Sequence, residues 1–225
     1  MSPETLLKPF LANWPTFAAL FLILIAVRIL ASPKFKGWFG EWIVNRGLSK
    51  LDPTRYRHFR DLYVPHPGGT GTTQVDHVVA STAGIFVIET KNFRGWIFGT
   101  EKQREWTQQI FRKKSRFQNP IHQNKLHVSA LSHYLGLPEE IFRPVVIFIG
   151  NAEFKTAMPD NVLNSGLIPW IKTHPDGILA TESFQNAADS LDSLDKATNR
   201  RDAARNHLKA LDMRHATGNP RRTRN

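Results

Sequence analysis

Asp76, Glu89 and Lys91 stand in or beside two apolar runs joined by a short turn, within QVDHVVASTAGIFVIETKNFRGW (74–96). Side chains alternate along a strand, so Glu89 and Lys91 share a face with Val87, while Phe86 and Ile88 point the other way. Asp76 shares its face with Gln74 and Val78. A hairpin paired around the turn lets the two polar faces coincide. Carboxylates brought together raise each other's pKa and favour the neutral forms unless a cation lies between them. Magnesium suits that place, because it takes hard oxygen ligands, often through one or two carboxylates, and keeps several waters. Held there, it activates water and stabilises charge on a phosphate under attack. The lysine then orients or deprotonates the water, or neutralises the transition state. The same residues also suit a structural cluster, a salt bridge from Lys91 to Glu89 or Asp76 near a sheet edge, since E-x-K alone is a weak pattern.

The elements around these residues follow from periodicity and breakers. Thr73–Ala80 and Gly84–Thr90 read as strands joined by the turn residues of STAG. Ahead of them, Phe35–Leu51 reads as a helix in which Trp38, Trp42 and Val44 share a rough 3.6 spacing. Arg55–Val64 reads as a strand, broken by the PHPGGTG loop. After the hairpin come a short strand at Trp96–Gly99 and a helix over Pro120–Leu135, closed by Gly136. The apolar run VVIFIG (145–150) has the character of a strand buried on both faces. Glu182–Leu194 and Asp202–Leu211 read as helices, and HATGNPRRTRN at the end reads as disordered. The order is that of a mixed α/β domain.

The pieces GEWIVNRGL (from Gly40), QVDHVVASTAGIFVIETKNFRGWIFG (from Gln74), Trp106 and NPIHQNKLHVSALSHYLGL (from Asn119) agree in order and spacing with one family. Over Gly40 to about Phe148 the chain resembles the nuclease-related domain (NERD) family. That resemblance implies a restriction-endonuclease-like mixed sheet flanked by helices and a degenerate PD-(D/E)xK site. On this pattern Asp76 and Glu89 bind the metal, Mg2+ or Mn2+, and Lys91 is the catalytic lysine. Glu41 on the first helix adds an acidic group to the metal site, and Gln123 on the second helix adds a polar one. The chain departs from the pattern at Val75, where the motif's proline is lost. It also lacks the Cys-rich zinc module that some relatives append, since the chain has no cysteine. That absence excludes disulfides and thiolate catalysis as well.

The charge balance points to a polyanion. Thirty Lys and Arg stand against nineteen Asp and Glu, a net +11, which favours nucleic acid or an anionic membrane surface; simple solubility is the plainer reading. The run Arg112, Lys113, Lys114 and Arg116 is the candidate phosphate contact. The segment from Lys196 to Asn225 carries nine basic and two acidic residues and suits either DNA or anionic lipid. Of the nine histidines none is assigned as an essential ligand: His122 and His127 lack the i, i+4 spacing of a helical zinc pair, and His77 faces the core. Trp96, Phe98 and Trp106 are expected in the core.

At the N-terminus, Phe10–Leu30 contains only Asn13 and Arg28 as strongly polar residues. About 20 apolar residues cross a bilayer core, so one N-terminal transmembrane helix is expected, with Trp14 and Arg28 as interfacial anchors. A signal peptide would want a more basic start and a small-residue cleavage site; a buried core helix would want a polar stripe. Arg28, Lys34 and Lys36 against Lys8 alone place the C-terminal part in the cytoplasm. The expected organisation is an anchor over 1–33, a nuclease-related domain over 34–152, an extension over 153–195 and a basic tail over 196–225. Three functions from different classes remain: a membrane-anchored, metal-dependent nuclease acting on DNA or RNA; an inactive nucleic-acid-binding or membrane-associated adaptor; and a membrane-anchored interaction protein in which the polar cluster is only structural.

Overall fold

The computed structural model describes residues 13–69 and 71–198. Two helices, α1 (Trp14–Ala31) and α2 (Pro33–Leu48), lead into β1 (Arg57–Pro65), β2 (Thr72–Ser81), β3 (Gly84–Asn92), β4 (Gly95–Phe98), β5 (Glu105–Ile110) and β6 (Lys113–Gln118). Then follow α3 (Pro120–Leu135), β7 (Phe142–Ile149), β8 (Ala152–Phe154), β9 (Val162–Leu163), α4 (Leu167–Lys172) and α5 (Thr181–Ala197). The strands form two mixed sheets, ordered β1-β2-β3-β7-β9 and β6-β5-β4-β8.

Short turns make β1, β2 and β3 antiparallel neighbours. The crossover through α3 makes β7 parallel to β3, as a helix-bearing connection does. Helices cover both faces of this sheet, so the centre of β3 is apolar on both sides. On one face Val78, Ala80, Ile85 and Val87 meet Val128 and Leu131 of α3 and Phe184, Ala188 and Leu191 of α5. On the other, Val79, Phe86, Ile88 and Ile147 meet Val44 and Leu48 of α2 and Leu167 and Ile171 of α4. Each fully buried Ile or Phe here contributes on the order of 2 kcal/mol relative to exposure.

The second sheet grows out of the first. The parallel β3–β7 pair ends at Asn92 and Ile149 and resumes as the parallel β4–β8 pair at Gly95 and Ala152. Gly150 sits at the bend with φ +85°, where a Cβ would lie 2.4 Å from the Asn92 side-chain oxygen. Only glycine fits there. Beneath the second sheet, Trp106 stacks on Phe148 with ring centres 6.1 Å apart.

Several boundaries differ from expectation for local reasons. The helix α2 starts at Pro33, because Ser32 caps it by accepting the Phe35 N–H at 3.2 Å and proline suits the first turn. It stops at Leu48, and Asp52 makes a local turn by accepting the Thr54 N–H at 2.9 Å, which delays β1 to Arg57. The β5–β6 hairpin was not expected: charged residues on its exposed side hide the strand alternation. Trp106 is buried as expected, but Phe98 is only half-buried and Trp96 is 44% exposed, with the Lys155 ammonium 4.9 Å from its ring centre. Trp38 and Trp42 also face away from Val44 and are exposed. The expected helix over Asp202–Leu211 and the disordered end lie outside the described residues.

The helix α1 is 18 residues long with no buried side chain. At 1.5 Å per residue it spans about 27 Å, close to the roughly 30 Å of a bilayer core. It is long and apolar enough to cross a membrane.

Candidate active site

The site begins where two strands part. The β2–β3 ladder pairs Val78 with Val87 and His77 with Ile88, and ends there. Beyond this point β2 stays paired with β1 and β3 with β7. Instead of continuing the ladder, Asp76 turns its carboxylate to the Thr90 backbone N–H, which donates to Oδ2 at 2.9 Å. The sheet thus opens as a fork, with Asp76 on one side and Glu89 and Lys91 on the other. In β1, the pairs Arg60–His77 and Leu62–Val75 bracket Asp61. Asp61 sits opposite Asp76 with φ +51°, a left-handed conformation that aspartate tolerates better than most residues. Gln74 donates to its Oδ1 at 3.3 Å.

Glu89 is 2% exposed and is held at both oxygens. Lys91 donates to Oε1, and His127 lies 3.2 Å from Oε2 through Nε2. An ionised carboxylate only accepts, so Nε2 carries the hydrogen. The other ring nitrogen of His127 is 2.9 Å from the Thr73 hydroxyl. Lys91 also donates to Gln123 Oε1 at 3.1 Å. Gln123 and His127 are four apart on α3 and therefore share a face. Between them, buried Asn124 fixes α3 on the sheet by donating to the carbonyls of Val87 at 2.9 Å and Val145 at 3.0 Å.

Glu41 arrives from the opposite face. Its neighbour Gly40 lets α2 lie close on the ends of β3 and β7, where a Cβ would come within 2.8 Å of Asn92 Cβ and 2.9 Å of Ile149 Cδ1. Burial pushes the Glu41 carboxyl up to about 7, aided by the charges of Asp61 and Glu89 and opposed by Lys91. Burial and the Glu89 charge likewise push half-buried Asp76 well above the usual carboxylate range. Burial also opposes the Glu89 charge, but Lys91 and His127 outweigh it and hold this carboxyl below its ordinary value. His77, on the far side of β2, is driven down to about 3 by burial and by His58 and Arg60, which makes it a neutral core residue.

Glu41, Asp76, Glu89, Lys91 and Gln123 therefore come together at one place. Asp61, His127 and Thr73 join them and were not anticipated. The β1 carboxylate carries no sequence pattern, and His127 was weighed only as a zinc partner of His122, although its i+4 spacing from Gln123 was legible. Arg112 at the turn and Lys113, Lys114 and Arg116 on β6 are exposed on the second sheet, and Arg116 approaches Glu105 at 3.8 Å.

The donors are hard oxygens, which suit magnesium or manganese rather than a soft metal. Among the described residues, no group of three or more His, Asp or Glu side chains is arranged to hold a metal ion, and Lys91 and His127 already engage both oxygens of Glu89. The set fits an ion held through one or two carboxylates and water. Two features leave room for a cation: Glu41 and Asp76 are raised by burial and, beyond it, by negative neighbours, and the buried Thr90 hydroxyl has no partner among the described residues.

A family model for the nuclease-related domain matches residues 36–149. An uncharacterized protein of Bacillus anthracis is 52% identical over 117 residues, covering 49% of this chain and 55% of that protein. The chain thus spans about half the length of the curated relative it matches. No solved structure matches it. The matched span runs from α2 to the end of β7 and holds Glu41, Asp61, Asp76, Glu89, Lys91, Gln123 and His127: the chain belongs to the nuclease-related domain family.

Proposed function

We propose that the chain is a membrane-anchored, metal-dependent nuclease that hydrolyses phosphodiester bonds in DNA or RNA. The observation that carries this reading is the meeting of Glu41, Asp76, Glu89 and Lys91 where β2 and β3 part. A restriction-endonuclease-like arrangement of the larger sheet is part of the reading. Asp76 and Glu89 hold Mg2+ or Mn2+, with Glu41 completing or orienting the set. The bound ion supplies charge stabilisation at the phosphate and lowers the pKa of water. Lys91 sits between Glu89 and Gln123, with its ammonium directed into the fork. From there it orients the attacking water or balances negative charge as the phosphate is attacked. His127 and Thr73 fix the second Glu89 oxygen, and Asn124 fixes the helix that bears His127.

Arg112, Lys113, Lys114 and Arg116 contact phosphates and supply affinity without sequence preference. The apolar α1 anchors the chain as a single-pass protein. The excess of Arg28, Lys34 and Lys36 puts the catalytic part in the cytoplasm. The basic stretch from Lys196 onward binds nucleic acid or the anionic inner leaflet.

One observation favours a second reading. Lys91 neutralises Glu89 within the chain and His127 hydrogen-bonds its other oxygen, so the cluster can stand without an ion, as in an inactive nucleic-acid-binding or membrane-associated adaptor. Incubating the full chain in detergent with labelled single- and double-stranded DNA and RNA separates the two. The nuclease reading expects products with Mg2+ or Mn2+ and none with EDTA. Binding without any product in either metal favours the adaptor.

A further inference from the structure

The helix α2 is apolar on two opposite sides. One side carries Gly40, Val44 and Leu48, all buried against the larger sheet. The other carries Phe35, Trp38, Phe39, Trp42 and Ile43, at the i, i+3, i+4, i+7, i+8 spacing of a second apolar stripe. Trp38 is 58% exposed, Trp42 44%, and Phe39 and Ile43 41% each. Phe35 stacks on Phe39 at 6.2 Å and Phe39 on Trp42 at 5.8 Å, so the rings form one continuous surface. The Arg46 guanidinium ends it, 6.0 Å from the Trp42 ring centre. A contiguous aromatic patch of this kind on a folded domain marks a surface that another phase or molecule covers.

We infer that this stripe lies in the headgroup region of the bilayer and seats the catalytic domain on the membrane. The inference rests on the reading of α1 as a membrane span. Three observations choose lipid over a protein partner. Ser32 alone separates α1 from α2, so α2 begins where the span leaves the hydrocarbon. Trp and Phe flanked by exposed Lys34, Lys36 and Arg46 match the belt that settles at the interface of an anionic leaflet. A second copy would set a stripe of this positive sign against its equal.

The consequence for the site is direct. Glu41 belongs to the same helix, so the fork lies about one helix diameter, roughly 10–12 Å, from the seated stripe. Nucleic acid must then be cut at the membrane surface rather than free in solution.

The chain has no cysteine, so single-cysteine variants of the full protein take one nitroxide label each. Labels at Leu24→Cys in α1, Phe39→Cys and Ile43→Cys on the stripe, and Gln185→Cys on α5 are compared in nanodiscs of mixed neutral and anionic phospholipid. Electron paramagnetic resonance reads the access of oxygen and of a water-soluble nickel chelate. The expected result is loss of nickel access at Leu24, partial loss with gain of oxygen access at Phe39 and Ile43, and full nickel access at Gln185. A shielded Leu24 with Phe39 and Ile43 as nickel-accessible as Gln185 overturns the inference alone. Dipolar broadening between labels at Ile43 assigns the stripe to a second copy and overturns it too. Full nickel access at Leu24, Phe39 and Ile43 overturns the membrane span with it.

Discussion

Asp76 and Thr90 make a side-chain-to-backbone hydrogen bond of 2.9 Å at the first position where β2 and β3 no longer pair. The carboxylate takes the place of a ladder acceptor, which keeps the strands apart without orphaning the Thr90 N–H. Asparagine at this position keeps an acceptor and removes the charge. The Asp76 carboxyl is raised by burial and Glu89. Its stabilising share is therefore complete below the unfolded value and lost as pH climbs through the raised folded value. In EDTA, Asp76→Asn should melt above the wild type at neutral pH and level with it below about pH 4. Mg2+ should raise the wild-type Tm and leave that of the variant unchanged.

Glu41 gives a narrower pH window. Its carboxyl moves from 4.5 to about 7, so metal-free stability should fall as pH rises between those values and then level off. Glu41→Gln should flatten that decline. A Tm series from pH 4 to 8 in EDTA checks it, and parallel curves for wild type and variant would show that Glu41 stays in contact with solvent.

His127 is expected to matter through Glu89. Removing the ring leaves a buried, charged oxygen with one partner fewer, a loss of about 1–3 kcal/mol. His127→Ala should therefore lower the denaturation midpoint and weaken metal-dependent cleavage together. Thr73→Val, which removes the contact to the other ring nitrogen, should do the same to a smaller degree.

Strands β1 to β4, β7 and the α3 crossover were legible because their apolar runs and caps are local. Asn119 accepts the Ile121 N–H at 2.9 Å and Gly136 takes φ +65° at the other end of α3, both written in residue types. The cluster was legible only in part. Alternation put Glu89 and Lys91 on one face, but the parting of β2 from β3 depends on tertiary pairing with β1 and β7, which no periodicity reports. Asp61 was hidden for the same reason: its role comes from the strand opposite. Trp38 and Trp42 misled because a 3.6 spacing identifies a stripe without saying which side of the helix is covered.

The β5–β6 hairpin tests the phosphate-binding surface separately from the chemistry. Lys113→Ala with Lys114→Ala should weaken duplex DNA binding in EDTA at all sequences alike. The slope of log affinity against log salt should fall by about 0.9 for each phosphate that is no longer neutralised. An unchanged slope would remove the hairpin from the binding surface.

Hydrolysis and ion binding followed in the same samples test the fork most directly. Full-length wild type, Asp76→Ala, Glu89→Ala and Lys91→Ala are compared for Mn2+-dependent cleavage of labelled DNA and RNA, and for Mn2+ binding by titration. The account predicts cleavage and binding by the wild type, neither in the two carboxylate variants, and retained binding with strongly reduced cleavage in Lys91→Ala. Cleavage by Asp76→Ala at the wild-type rate, or a wild-type chain that neither binds the ion nor cuts any of these substrates, would contradict it.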